Sequence, residues 1–165
     1  PNTVLYTSVI KCLARTKPTD AEAPRRAREL LAEMEEAYRK GDGDVRPNLI
    51  TYNTVLKACA SRAGGDRLQK KEWLRIVMDV YRRMTVPAKE TGGKRGNETV
   101  RPNGATLSYM LEAIEKFEEQ PQRRADAAEM ILKRARRYDV VNDGILKRHG
   151  KLMASASRLS VPAAE

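Results

Sequence analysis

Side chains able to make or break bonds are few in this sequence, and their spacing does not suit catalysis. His149 is the single histidine and Cys12 and Cys59 are the two cysteines, so no metal-ligand spacing arises among them. The pairs Gly64-Gly65 and Gly92-Gly93 lack the Lys-Ser or Lys-Thr that completes a phosphate-cradling loop. The carboxylate pairs Glu35-Glu36 and Glu118-Glu119 read as exposed helix faces. No catalytic residue, metal or cofactor is therefore expected. What the sequence does offer is hydrogen-bonding chemistry in register. Thr7, Asn53 and Ser108 stand at the same offset beyond Asn2, Asn48 and Asn103. A threonine or serine hydroxyl donates or accepts, and an asparagine amide does both in one plane.

The elements that must position these residues form an internal repeat. Val45-Arg46-Pro47-Asn48 returns as Val100-Arg101-Pro102-Asn103, and the chain opens on Pro1-Asn2. After each Pro-Asn, apolar residues recur at helical spacing: Tyr6, Val9, Ile10 and Leu13, then Tyr52, Val55, Leu56 and Cys59, then Leu107, Met110, Leu111 and Ile114. A second amphipathic helix follows in each copy, carrying Ala27, Leu30, Leu31 and Met34, then Val77, Val80, Tyr81 and Met84, then Ala128, Ile131, Leu132 and Ala135. Thr19-Asp20-Ala21-Glu22 has the form of a capping box opening one of these helices. The expected fold class is all-α, an α-solenoid of tandem antiparallel helix-turn-helix repeats. Its expected units are residues 1–48, 49–103 with a long insertion, a divergent 104–143, and a C-terminal 144–165. The last reads as half a repeat or a cap over the open end, built on Ile145, Leu146 and Leu152, with a disordered tail after Ala154. Stretches 15–22, 39–44 and 86–99, rich in Gly, Pro and charge, read as flexible surface insertions.

Lys and Arg total 32 against 22 Asp and Glu, a formal charge of +10 that favours polyanionic partners. No run approaches the roughly 20 apolar residues of a membrane span. No small-molecule substrate is implied. Cys12 and Cys59 read as small buried apolar residues of a reducing compartment. Met78, Met84, Met110 and Met130 read as core fillers, and the basic runs Arg123-Arg124, Lys133-Arg134 and Arg136-Arg137 as a solvated helix face. A chain that opens at Pro1, inside a motif, reads as a piece of a longer protein with further repeats upstream.

The stretch Arg46-Pro47-Asn48-Leu49-Ile50-Thr51-Tyr52-Asn53-Thr54-Val55-Leu56-Lys57-Ala58-Cys59-Ala60 resembles the junction and first helix of a pentatricopeptide repeat. The first repeat resembles it nearly as well, with Met34 closing its second helix. The third diverges, with Leu107 in place of Tyr and no Pro at its exit. Tetratricopeptide repeats share the architecture, but Trp73 does not sit in their frame. The resemblance implies that stacked first helices line a surface reading single-stranded RNA, one base per repeat. The implied base-reading pairs are Thr7 with Asn48, Asn53 with Asn103, and Ser108 with Asp143, or with Asn142 if the register slips. The family's base preferences imply adenine, then a pyrimidine, then a purine, from 5′ to 3′. The implied base clamps are Val4, Ile50 and the small Ala105, and the implied phosphate contacts are Arg15 and Lys116, with Ser61 breaking that pattern.

Two functions follow as expectations. One is a sequence-selective single-stranded RNA-binding module of an organellar RNA-metabolism factor, in chloroplast or mitochondrion. The other is a scaffold subunit of a large organellar ribonucleoprotein assembly such as a ribosome, where the partners are proteins or ribosomal RNA. An asparagine at a helix entry is also an ordinary cap, and Asn48 and Asn103 stay open to that reading.

Overall fold

The computed structural model describes residues 2–85 and 100–157. The insertion read at 86–99, with Gly92-Gly93 inside it, and residues 158–165 lie outside the described residues. Those described are all-α and contain no strand. The helices are α1 (Thr3–Leu13), α2 (Ala23–Arg39), α3 (Leu49–Ala60), α4 (Arg67–Thr85), α5 (Gly104–Phe117), α6 (Pro121–Tyr138) and α7 (Asp143–Ser157).

Four helices begin in the same way. The side chains of Asn2, Asn48, Asn103 and Asn142 accept the backbone N–H three residues on, from Leu5, Thr51, Thr106 and Ile145. Each cap satisfies a donor that the helix leaves without an internal partner, a contribution of about 1 kcal/mol. At α3 and α5 the return bond is present too, because Thr51 and Thr106 accept from the backbone N–H of Asn48 and Asn103. The repeated Pro-Asn is thus a helix-start signal. Asn142 shows the same start without the proline, so α7 opens as α1, α3 and α5 do.

Packing follows chain order. Each capped helix packs on its successor (α1 on α2, α3 on α4, α5 on α6) and on the next capped helix (α1 on α3, α3 on α5, α5 on α7). The apolar stripes meet in one core. Tyr52, Val55, Leu56 and Cys59 of α3 are buried, as are Leu107, Met110, Leu111 and Ile114 of α5 and Val77, Val80, Tyr81 and Met84 of α4. Burying one such aliphatic side chain contributes about 1.5–3 kcal/mol, so these stripes dominate the cohesion of neighbouring pairs. An edge-on contact between Trp73 and Phe117, with ring centres 5.2 Å apart, joins α4 to α5.

Several expectations need correction. Glu35 is not on an exposed face. It is buried, accepts the Tyr52 hydroxyl at 3.1 Å and pairs with Arg83 at 2.7 Å. Arg83 also holds Asp79, which pairs with Arg28 at 2.7 Å, so α2, α3 and α4 share one charged network. Glu118 caps the end of α5 rather than lying on a helix face, and Glu119 follows it in the connection to α6. Cys12 is exposed, whereas Cys59 is buried and its thiol is pushed up to about 12 by that burial. Met84 and Met110 fill the core, but Met78 and Met130 are exposed, lying off the buried stripes of α4 and α6. Thr19 caps nothing. Asp20 instead accepts from the backbone N–H of Glu22 and Ala23, and α2 starts at Ala23. The helical part of the C-terminal segment runs past Ala154 to Ser157, with Ala156 buried.

The 15–22 stretch is not a loose insertion. Arg62, fully buried, donates to Thr16 Oγ1 at 3.0 Å, Lys17 O at 2.9 Å and Asp20 O at 3.1 Å. Ala63 N–H reaches Pro18 O, and Trp73 Nε1 reaches Ala21 O. Stretch 39–44 is tied at its far end, where Thr3 Oγ1 donates to Asp44 O and Arg46 O. Gly65 makes the turn into α4 possible. Its φ of +77° favours glycine, and a Cβ there would stand 2.6 Å from the Trp73 ring.

Candidate nucleic-acid interface

The capped helices bring their early polar residues to one place. α3 lies between α1 and α5, which do not pack on each other. A groove of about 520 Å³ opens along the three. Thr7 and Val4 line it from α1, Arg15 from just past the end of that helix, Ile50 and Asn53 from α3 with the cap Asn48, and Ala105 from α5. Six of the residues singled out by sequence therefore share this groove with Ala105, drawn from three repeats. The rest lie elsewhere. Asn103, Ser108, Asn142, Asp143 and Lys116 do not line it.

The polar residues that the resemblance pairs are linked physically in the first two repeats. Asn53 Nδ2 donates to Asn103 Oδ1 at 3.1 Å, and Asn53 Oδ1 accepts the Thr106 hydroxyl at 2.7 Å. Thr7 Oγ1 meets Thr51 Oγ1 at 2.9 Å, and Thr51 in turn donates to Asn48 Oδ1 at 3.2 Å. Thr51 and Thr106 are fully buried, so they fix the caps and the neighbouring polar groups together. The caps also set the amide orientation. Because each Oδ1 faces a backbone N–H, the Nδ2 donors of Asn48 and Asn103 are left for another partner. Capping and base reading are thus compatible uses of one side chain.

The third pair is different. Asn142 caps α7 at the place that Asn48 and Asn103 hold in the earlier caps, and Asp143 is the first residue of that helix. Ile145 stands where Thr51 and Thr106 stand in the two earlier caps, so Ser108 has no hydroxyl bridge to Asn142. Gly104 lies against Asn142, whose Nδ2 would be 2.7 Å from a Cβ at that position.

Charge in the groove is one-sided. Lys11, Arg15 and Lys57 line it, and among the described residues no carboxylate does. Lys11 and Lys57 were missed by sequence reasoning, although they share one offset beyond Asn2 and Asn48 and the register would have found them. In the third repeat that offset holds Glu112, and Lys116 is bound to it at 2.7 Å and to Ala60 O at 2.6 Å. Lys116 is thus turned to the protein, and the basic character ends with the second repeat. Val4 and Ile50 are 72% and 66% exposed and give the groove an apolar rim.

The basic runs of α6 lie away from this groove. Arg123, Lys133, Arg136 and Arg137 are exposed, and Arg134 stacks over the Tyr81 ring at 5.0 Å. Among the described residues no helix is long and apolar enough to cross a membrane. No family model, curated protein or solved structure matches the chain.

Proposed function

We propose that the helix pairs form an α-solenoid of pentatricopeptide-repeat type that binds single-stranded RNA along α1, α3 and α5. The observation that carries this reading is the shared groove. Thr7, Asn48 and Asn53 line it beside the exposed Val4 and Ile50 and the cations Lys11, Arg15 and Lys57. Hydrogen-bonding groups, apolar surface and positive charge are the three things an unpaired nucleotide needs from a protein.

The donor and acceptor balance supports base reading. Thr7 with Asn48 offers a hydroxyl oxygen and free amide donors, the complement of an edge carrying one donor and one acceptor, as adenine does. Asn53 with Asn103 offers mainly donors, because Asn103 Oδ1 already accepts from Thr106 N and from Asn53. Donors suit a pyrimidine edge rich in carbonyl oxygens. The role that fits is passive occupation of a transcript in an organelle, protecting it, guiding its processing or aiding its translation.

A selection from a randomised single-stranded RNA pool tests this. The chain enriches a sequence family, and the triple substitution Thr7→Ala, Asn53→Ala, Ser108→Ala abolishes the enrichment. The second reading, a scaffold subunit of an organellar ribonucleoprotein assembly, is favoured by the third repeat, where Lys116 is bound inward and Ser108 lacks its bridge. It predicts no enrichment from the pool and a protein that co-purifies stably.

A further inference from the structure

Two register positions of the groove change together in the third repeat. Val4, Ile50 and Ala105 share one offset beyond their caps, and Ser8, Thr54 and Tyr109 share another. All six line the groove. On going from the second repeat to the third, the aliphatic residue shrinks from Ile50 to Ala105 while the small hydroxyl residue Thr54 is replaced by the aromatic Tyr109.

We propose that Tyr109 is a stacking platform for one nucleobase of the bound strand, taking over at the third repeat the contact that Ala105 is too small to make. This rests on the reading of the groove as a single-stranded RNA site. Tyr109 is half-buried, packed partly against the core and partly open to the groove, so its ring is held in place before a ligand arrives. A ring already fixed loses little freedom on stacking. An aromatic face accepts any base, because every base has a π-face. The third repeat has exchanged a hydrogen-bonded reading pair and a free cation for an aromatic surface. Its contribution to binding is therefore affinity with little base selectivity. It is also insensitive to salt, since Glu112 and Lys116 neutralise each other beside it.

The test uses the full chain and fluorescein-labelled oligoadenylate, oligouridylate and oligocytidylate, with inorganic polyphosphate as a polyanion that carries no base. Tyr109→Ala is expected to weaken oligonucleotide binding about 5- to 150-fold, the loss of one base stack. Polyphosphate binding stays as in the unsubstituted chain. Tyr109→Phe keeps the ring and keeps the affinity. Tyr109→Leu preserves the packing against the core without an aromatic face, so it also loses oligonucleotide affinity. Circular dichroism establishes that each variant is folded. If Tyr109→Ala and Tyr109→Leu bind oligonucleotides undiminished while Lys57→Gln weakens them, the strand occupies the groove without stacking on Tyr109. That outcome overturns this inference and leaves the RNA reading standing. Equal losses for oligonucleotides and polyphosphate would show that Tyr109 acts through the fold, and overturn it too. If the unsubstituted chain binds none of the oligonucleotides, both readings fall together.

Discussion

Removing one groove cation should change the salt dependence of RNA binding by a calculable amount. Lys11, Arg15 and Lys57 are the basic residues lining the groove. Single-strand binding releases counterions, so log K falls with log[salt] at a slope of about −0.7 per phosphate neutralised. With three cations engaged the slope is about −2, and affinity falls about 20-fold between roughly 50 and 200 mM salt. Lys57→Gln leaves two, a slope of about −1.4, and a fall of about 7-fold over the same range. The third repeat allows the opposite change. Glu112 stands at the offset of Lys11 and Lys57, and its carboxylate holds Lys116 at 2.7 Å. Glu112→Lys adds a cation and releases Lys116, so the slope steepens by at least about 0.7. Fluorescence anisotropy with a short labelled oligonucleotide at four or more salt concentrations measures all three slopes. Arg136→Gln with Arg137→Gln, on the exposed face of α6, serves as the control and leaves the slope unchanged. The reasoning is refuted if Lys57→Gln keeps the original slope while the α6 substitutions flatten it, because the strand then follows the charge of α6.

Two further outcomes concern the scaffold. Arg62→Met strips the 15–22 connection of four hydrogen bonds while filling similar space, and should cost about 2–3 kcal/mol. A lower urea midpoint with faster amide exchange around Asp20 is expected, and an unchanged midpoint would show that the connection holds without Arg62. Acid should destabilise the chain through Asp79 and Glu115. Burial raises both, but hydrogen bonds from Arg28 and Arg83 to Asp79, and from Lys151 and Arg148 to Glu115, outweigh it and hold them below their ordinary 3.8 and 4.5. Folding therefore releases protons as these groups titrate. Their contribution is fully present above the ordinary values and is lost as pH falls through and below them. The urea midpoint should stay level from neutral pH to about 5 and then drop, with a shallower drop in Asp79→Asn. A chain as stable at pH 3 as at pH 6 would contradict this.

The helices were legible because their signals are local. The Pro-Asn starts and the three-one-three apolar spacing depend on neighbours in sequence, and α3, α4, α5 and α6 bury the stripes read for them. In α1 only Ile10 of its stripe is fully buried, and Val9 is exposed. Among the described α-helices it packs on α2 and α3 alone, with a further contact to the short turn at Gly43–Val45, so its outer residues find little further cover. What escaped the sequence was set at long range. Glu35 is a surface residue by type, and its burial needs Tyr52 and Arg83 from two other helices. Arg62 carries no local signal for its burial, because its partners other than Ser61 lie in the α1–α2 connection. Of the groove, the register gave Thr7, Asn48 and Asn53 and the clamps beside them. It did not give Thr51 and Thr106, although their position three residues after the cap asparagine is a capping-box signature. The third pair was uncertain for a physical reason. Asn142 caps without a preceding proline, and only the cap geometry separates it from Asp143.

The most direct measurement is the location of the bound strand. NMR spectra of the isotope-labelled chain, recorded while a short single-stranded RNA is added, report shift changes residue by residue. The account predicts that the largest changes fall on Thr7, Lys11, the Asn48 and Asn53 side-chain amides, Lys57 and Tyr109, with α6 nearly silent. Changes concentrated on Arg123, Lys133, Arg136 and Arg137, or none at all at saturating RNA, would contradict it.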